Sequence, residues 1–349
     1  MKIESLRKLS FAKIFHSLWL GPLGAILAWS ISAPAPFLTG PTTVCSLAAL
    51  LGLKFIVPEA IKNFSFVVIG LTIGSNVTPE TLIQASKWPF SIICMLTSVV
   101  LITILGRYIL VKLLSMDRES SILASSPGHL SFVLSISSDL KRETAKITVI
   151  QNTRVLILVL LTPLVVTLMK EDANLNLIVH ASVLLSLFEM FILIVVSVFC
   201  GFLIRKTKIP APFLIAAMFC STISNGSGLT SGEVSSVFST TAFIILGTLI
   251  GTRFVSVNIF QLRSSFFGGV LQTLVGAFFV FLFAYITHKA TGLNFVDTII
   301  AFAPGGLEAM VAMGALVQAD PTYVAIHHIA RIFFLSFLVP FLIYRQDLR

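Results

Sequence analysis

Two Pro-Gly pairs interrupt apolar stretches of the sequence and create positions at which an ion could bind. The first lies in Ser126-Pro127-Gly128-His129, and the second in Pro304-Gly305-Gly306. Proline and glycine break a helix, so a new half-helix begins after each pair, and the first N–H groups of that half-helix lack intrahelical partners. A helix N-terminus carries a partial positive charge and binds anions. We therefore predict that these residues bind a solute; the alternative is that each pair only kinks a packed helix.

An arginine follows each Pro-Gly pair inside a long apolar stretch. Arg154 lies within residues 147–169, and Arg331 lies within residues 322–344. A guanidinium inside a membrane is costly and usually functional, and its planar fork matches a carboxylate or a phosphate. We predict that Arg154 and Arg331 bind the solute. Two structural alternatives stay open: each cation could cap the free carbonyls of a helix break, or it could pair with a buried acid.

Three more titratable residues are candidates for coupling transport to a proton or another ion. Glu308 follows the second Pro-Gly pair, and Glu189 lies midway along residues 178–204. His328 precedes Arg331 by three residues, which places the two side chains near one helical face. A carboxylate could bind a cation or carry a proton, and histidine titrates near neutral pH. The alternatives are an ion pair between Glu308 and an arginine, and a histidine whose hydrogen bonds are satisfied in the interior.

No metal site and no cofactor are predicted. A metal site needs several converging ligands, but the six histidines are dispersed along the chain, and neither HExxH nor CxxC spacing occurs. The cysteines are predicted to be small core residues, since they are scattered in apolar runs: Cys45, Cys94, Cys200 and Cys220. We accordingly do not expect an enzyme.

The composition indicates that a membrane surrounds these residues. Of 349 residues, 56% are hydrophobic and only 11% are charged, against about 25% in a soluble domain. A net charge of +9 would suggest a nucleic-acid partner in a soluble protein, but here the basic residues lie between apolar segments. The first apolar run, residues 14–32, is predicted to be a retained helix because no clear cleavage site follows it.

The sequence also contains an internal duplication. Pro127-Gly128 recurs as Pro304-Gly305, and Arg154 recurs as Arg331, each 177 residues later. We predict two homologous repeats, residues 1–173 and 174–349. Each repeat has six apolar segments: 14–32, 37–53, 63–78, 89–113, 119–138 and 147–169 in the first, and 178–204, 212–230, 235–252, 264–287, 296–317 and 322–344 in the second.

The basic residues favour a topology in which the fifth segment of each repeat re-enters the membrane without crossing it. With re-entrant segments 119–138 and 296–317, nearly all lysines and arginines of the loops fall on one side, as the positive-inside rule requires. If every segment crosses, the bias almost disappears. Five crossings per repeat is an odd number, so the two repeats have opposite orientations. The predicted fold is an all-α polytopic membrane protein with two inverted-topology repeats, each of about five transmembrane helices and one Pro-Gly-broken helix.

Several of these sequences resemble one family of duplicated membrane proteins. Gly21-Pro22-Leu23-Gly24, Pro34-Ala35-Pro36 and Pro304-Gly305-Gly306-Leu307-Glu308-Ala309-Met310, with Ala319-Asp320 and Arg331, are similar to the AbrB-type family. The resemblance extends from about residue 20 to residue 344, although His129-Leu130-Ser131-Phe132 departs from the family pattern. Members are often labelled ammonia monooxygenases or regulators of gene expression. The resemblance implies a multi-pass protein of the bacterial inner membrane.

The predicted function is secondary active transport of a small, anionic organic solute. Inverted repeats with paired broken helices are common among secondary transporters, whose sites lie near the midplane. The coupling ion is expected to be a proton or sodium, both termini are expected in the cytoplasm, and a homo-oligomer is left open. The alternatives are an indirect regulator of gene expression that acts through a metabolite, and a membrane metal monooxygenase, which the dispersed histidines disfavour.

Overall fold

The chain is built from α-helices. The computed structural model describes residues 2–75, 85–127, 130, 133, 136–137, 143–169, 184–206, 211–230, 232–255, 257 and 259–347. Its helices are α1 (Lys2–Ser30), α2 (Pro36–Leu50), α3 (Glu59–Gly74), α4 (Trp88–Leu114), α5 (Arg118–Ser125), α6 (Thr144–Met169), α7 (Leu187–Arg205), α8 (Pro212–Gly226), α9 (Ser236–Thr252), α10 (Ile259–Thr291), α11 (Phe295–Phe302), α12 (Leu307–Leu316) and α13 (Pro321–Asp347).

The helices confirm that the chain is an all-α polytopic membrane protein. Five helical segments of the described residues are long and apolar enough to cross a membrane: Ala85–Leu114, Thr144–Met169, Leu187–Arg205, Phe260–Thr291 and Pro321–Tyr344. Large apolar side chains such as Phe278 and Phe337 are exposed on them. Exposed apolar side chains are unfavourable in water, but they are favourable on the outer face of a membrane helix, because lipid surrounds that face.

The helices form two compact units that do not coincide with the predicted repeats. One unit comprises residues 1–79 and 163–256, and the other comprises residues 80–162 and 257–349. Each unit therefore takes one segment from each half of the chain. The division into repeats at residue 173 stays a prediction, and so does their inverted orientation in the membrane.

Small residues pack the helices of the first unit closely together. A Cβ built on Gly70 of α3 would lie 2.4 Å from the carbonyl oxygen of Leu214 in α8, and one on Gly247 of α9 would lie 2.6 Å from that of Leu38 in α2. Glycine permits this approach of two backbones, as in other membrane helix pairs. The two contacts are related by the internal duplication. Leu38 corresponds to Leu214, and Gly70 corresponds to Gly247, because the two members of each pair are separated by almost the same interval.

The second unit contains both helix breaks. α5 begins after Asp117, whose Oδ1 accepts from the backbone N–H of Ser120 at 2.8 Å, and α11 begins after Asn294, which caps Val296 in the same way. α5 ends at Ser125 and α11 at Phe302, because Ser126 and Ala303 adopt extended backbone angles ahead of the prolines. The predicted break after Phe302 is confirmed, and α12 follows it.

The second broken segment is a helical hairpin. Tyr323, in the first turn of α13, lies beside Thr298 near the start of α11, and a Cβ on Gly314 near the end of α12 would lie 3.5 Å from Val324. Both arms of the hairpin therefore lie beside the same end of α13. The turn between them lies about two helical turns further along, at Arg331. A broken helix that continued in one direction would not bring both of its outer ends to this place.

This hairpin predicts the outcome of a labelling experiment. Single cysteines that replace exposed Lys289 and Gln318 in a cysteine-free background should react with an impermeant maleimide from the same side of the membrane. A cysteine that replaces exposed Arg263, at the far end of α10, should react from the opposite side. Labelling of positions 289 and 318 from opposite sides would show that residues 296–317 cross the membrane and would contradict the re-entrant topology.

Candidate functional site

Arg331 holds the turn of the second hairpin. Its side chain is 1% exposed, and its Nη1 and Nη2 donate to the carbonyl oxygens of Ala303 and Gly305 at 2.6 and 2.7 Å. These carbonyls belong to the non-helical residues between α11 and α12, so they lack regular helical partners. A third bond joins Nη2 to Nδ1 of His328 at 2.6 Å. Arg331 therefore caps free carbonyls of the helix break, which is one of the two structural alternatives that the sequence left open.

Arg154 occupies the equivalent position at the first break but is bound less completely. It is also 1% exposed, and its Nη2 donates to Gln151 Oε1 at 3.1 Å and, at a long 3.4 Å, to the carbonyl of Ser126. Gln151 Nε2 donates to the carbonyls of Leu123 and Ser126. Gln151 thus does at the first break what His328 does at the second, where His328 Nε2 bonds to the carbonyl of Ile300.

Both guanidiniums retain buried N–H groups without a partner. Nε and Nη1 of Arg154 and Nε of Arg331 make no hydrogen bond with the described residues. The salt bridges that the structure shows within those residues involve neither arginine. A buried charge without a counter-ion destabilises a protein, and unpaired buried donors add to the cost.

His328 is held in one neutral form. Its Nδ1 accepts from Arg331, so its Nε2 must carry the hydrogen that is donated to Ile300. Both ring nitrogens are therefore occupied by structural bonds. The predicted role of His328 in proton coupling stays a prediction, and the structure indicates how to separate it from a structural role.

Replacing His328 with glutamine tests that role. Gln151 makes the corresponding bonds at the first break, so His328→Gln should keep an acceptor for Arg331 and a donor for Ile300 and should retain most of the uptake activity. His328→Leu should lower the free energy of unfolding by about 1–3 kcal/mol, since it removes both bonds. Loss of proton-driven uptake in a stable His328→Gln protein would show that the imidazole carries the coupling proton.

A second buried network joins α13 to α4. The hydroxyl of Tyr323 donates to Ser91 Oγ at 2.8 Å, and Ser91 Oγ also bonds to Nε2 of His327. Nδ1 of His327 donates to the backbone carbonyl of Tyr323 at 2.8 Å. His327 thus fits the interpretation of a satisfied interior histidine, and the network holds the start of α13, where the hairpin arms meet it.

Some residues of the two Pro-Gly breaks lie next to these arginines. Ser126 offers its carbonyl to Arg154 and Gln151, and Pro127 is buried beside it. At the second break, Pro304 contacts the face of α10 at Gly276, Gly305 binds Arg331, and Gly306 precedes α12. Gly128 and His129 lie outside the residues that the structure describes.

The two predicted acids occupy different surroundings. Glu308 is half-buried in the first turn of α12, and it forms none of the salt bridges that the structure shows among its described residues. The alternative of a Glu308–Arg331 ion pair therefore has no support. The expected position of Glu189 was wrong: α7 begins at Leu187, so Glu189 lies in its first turn rather than midway along a helix. There it forms a capping box with Ser186, whose backbone N–H it accepts at 2.9 Å.

Sequence reasoning did not identify two buried amides, of which Gln151 binds Arg154 and Gln272 binds the carbonyl of Gly106. Gln151 and Gln272 are amides inside long apolar helices, with 2% and 0% exposure. An amide in a transmembrane helix is itself a signal, because it needs hydrogen-bond partners inside the bundle. Within the described residues, no three His, Cys, Asp or Glu side chains are grouped as a metal site would require.

Comparisons with known proteins agree with the sequence pattern. The family model described as "Transition state regulatory protein AbrB" matches residues 37–346. The chain is 25% identical over 296 residues to "Uncharacterized protein YhjN" of Bacillus subtilis (strain 168), covering 78% of this chain and 75% of that protein. It is 23% identical over 315 residues to "Putative regulator AbrB" of Escherichia coli (strain K12), covering 87% and 88%. No solved structure matches the chain.

Proposed function

The chain belongs to the AbrB family of membrane proteins, and we propose that it is a secondary active transporter of a small organic anion. The observation that carries the proposal is the pair of fully buried arginines beside the two helix breaks. Their unpartnered N–H groups and their buried positive charges call for a negative charge that the described residues do not supply. A mobile anion can supply it, and broken helices at the site are the usual means by which transporters expose and enclose a solute.

The two arginines have different roles in this proposal. Arg154 is the main ligand of the anion, because two of its nitrogens, Nε and Nη1, have no hydrogen-bond partner among the described residues, whereas Nη2 is bound at the break. Arg331 shapes the site by holding the hairpin turn through Ala303 and Gly305, and it adds charge and one free N–H. The residues of the two Pro-Gly breaks contribute backbone groups that bind the solute.

The coupling ion is a proton or sodium, and Glu308 is its first candidate site. Glu308 is a half-buried carboxylate in the turn of α12 that follows the break, and Glu189 ranks below it because it caps α7. We place the protein in the bacterial inner membrane, with both termini in the cytoplasm, since this orientation satisfies the positive-inside rule.

Transport is tested with purified protein in liposomes. Uptake of radiolabelled small carboxylates is measured under an imposed pH gradient, a sodium gradient, or neither, with matched uncharged amides as controls. We expect uptake of at least one carboxylate, driven by one of the two gradients, and no uptake of the amides. Correctly folded protein that moves none of the carboxylates would overturn the proposal.

The printed name of the Escherichia coli relative favours a second role, in regulation. In our proposal such an effect is indirect: moving a metabolite changes its concentration and thereby gene expression. A strain that carries a folded but transport-inactive variant should then show the same expression changes as a deletion strain. Normal expression in that strain would show that regulation does not depend on transport.

A further inference from the structure

One face of α10 passes both helix breaks. Gly269, Gln272 and Gly276 lie three and four residues apart, so they share this face. A Cβ on Gly269 would lie 2.5 Å from Cβ of Thr153, the neighbour of Arg154, and one on Gly276 would lie 2.9 Å from Cγ of Pro304. Gln272 therefore lies between the helix that carries Arg154 and the turn of the second hairpin.

Gln272 also lies near the first break, where Gly106 separates the two. Its Nε2 donates to the carbonyl of Gly106 in α4 at 2.9 Å. A Cβ built on Gly106 would meet both Oε1 of Gln272, at 2.4 Å, and Cβ of Ser125, at 2.9 Å. Ser125 immediately precedes Ser126, whose carbonyl binds Arg154. Gly106 thus lies between Gln272 and Ser125, and Arg154 binds Ser126, the next residue of the break.

The amide oxygen of Gln272 is buried and has no hydrogen-bond partner. The side chain is 0% exposed, and its Oε1 makes no bond. The orientation of the amide is fixed by Gly106, because turning it over would bring two oxygen acceptors together. A buried acceptor without a donor is costly, and such atoms are uncommon in folded proteins. The acceptor therefore needs a donor that the described residues do not provide.

We propose that Gln272 is a solute-binding residue whose Oε1 accepts a hydrogen bond from a hydroxyl or ammonium group of the transported anion. The site then offers unpaired N–H donors on Arg154 and an unpaired acceptor on Gln272. A solute that satisfies both carries a carboxylate together with an O–H or N–H donor. The substrate class is a hydroxy- or amino-carboxylate. This inference rests on the proposed function, and it predicts selectivity that anion transport alone does not.

The test compares probes that differ by one donor group. Binding to the purified protein is measured by thermal stabilisation with propionate, lactate and alanine, and with succinate, malate and aspartate. We expect the wild-type protein to bind the hydroxylated or the aminated member of at least one series about tenfold more tightly than the unsubstituted acid, because the acid leaves Oε1 unpaired. The preferred member distinguishes a hydroxyl donor from an ammonium donor.

Two variants of Gln272 separate its oxygen from its bulk. Gln272→Met keeps the volume and removes the acceptor, so the preference should fall to about one, while the unsubstituted acid still binds. Gln272→Glu keeps acceptor oxygens at this position but adds negative charge, so all anions should bind more weakly and the preference should persist. Leu274→Met, at a position of α10 that is 61% exposed, is the matched control and should behave as wild type.

The outcomes distinguish this inference from the proposed function. Equal binding of substituted and unsubstituted acids by the wild-type protein, or an unchanged preference in Gln272→Met, would overturn the role of Gln272 and leave anion transport standing. Failure of every carboxylate to stabilise the folded wild-type protein would overturn both. If Gln272→Met is not recovered as folded protein, the persistence or loss of the preference in Gln272→Glu decides the question.

Discussion

Replacing Arg154 with lysine is expected to lower the rate of anion uptake by about 100-fold while the protein stays folded. Lysine keeps the positive charge, but its single nitrogen cannot occupy the positions of both Nε and Nη1, the two donors that have no partner among the described residues. The bonds that Arg154 does make, to Gln151 and at 3.4 Å to Ser126, are few and long. Their loss should lower the free energy of unfolding by no more than about 1 kcal/mol.

The measurement pairs uptake per folded molecule in liposomes with the melting temperature of the purified protein. Arg263→Lys is the matched control, because it makes the same substitution at an exposed position of α10. It should leave both quantities unchanged. An Arg154→Lys protein that takes up the anion at the wild-type rate would show that the fork of Arg154 does not bind the solute, and the anion site would have to be sought elsewhere.

The fold could be predicted largely from the sequence because its constraints are local. A run of apolar residues long enough to span the bilayer must form a helix, since lipid offers no hydrogen bonds to the backbone. Proline and glycine then fixed the second break, which lies between Phe302 and Leu307 as the Pro304-Gly305 pair predicted. The repeated arginines were found for a similar reason: a charge inside an apolar helix stands out without any knowledge of its surroundings.

The hydrogen bonds at the site could not be predicted, because they join residues far apart in the chain. Nothing near Gln272 in the sequence indicates that its amide reaches Gly106, which lies 166 residues away. The partition into units also depends on such contacts, and it cuts each predicted repeat in two. Glu189 shows the opposite failure, because here the signal that was missed is local. Ser186, three residues earlier, forms a capping box with Glu189, and this pattern marks the start of the helix even though the apolar run begins earlier in the sequence.

Replacing Arg331 with alanine is expected to have its largest effect on stability rather than on solute binding. The side chain donates to the carbonyls of Ala303 and Gly305 and to Nδ1 of His328, all in a buried site. Alanine would leave two carbonyls of the hairpin turn and the Nδ1 of His328 without donors. At about 1–3 kcal/mol for each unsatisfied buried group, the free energy of unfolding should fall by about 3 kcal/mol or more, offset in part by the removal of a buried charge.

Arg154→Ala is the matched comparison for this variant, because the two residues occupy equivalent positions but differ in the number and length of their bonds. Arg331→Ala should melt at a clearly lower temperature than Arg154→Ala, and the fraction that stays folded should still bind a carboxylate through Arg154. Arg154→Ala should show the reverse, a melting temperature near that of the wild type and no stabilisation by the anion. Equal losses of stability in the two variants would mean that the short bonds from Arg331 to the hairpin do not hold it. The division into one arginine that shapes the site and one that binds the solute would then be wrong, whereas a shared role of both arginines in binding would remain.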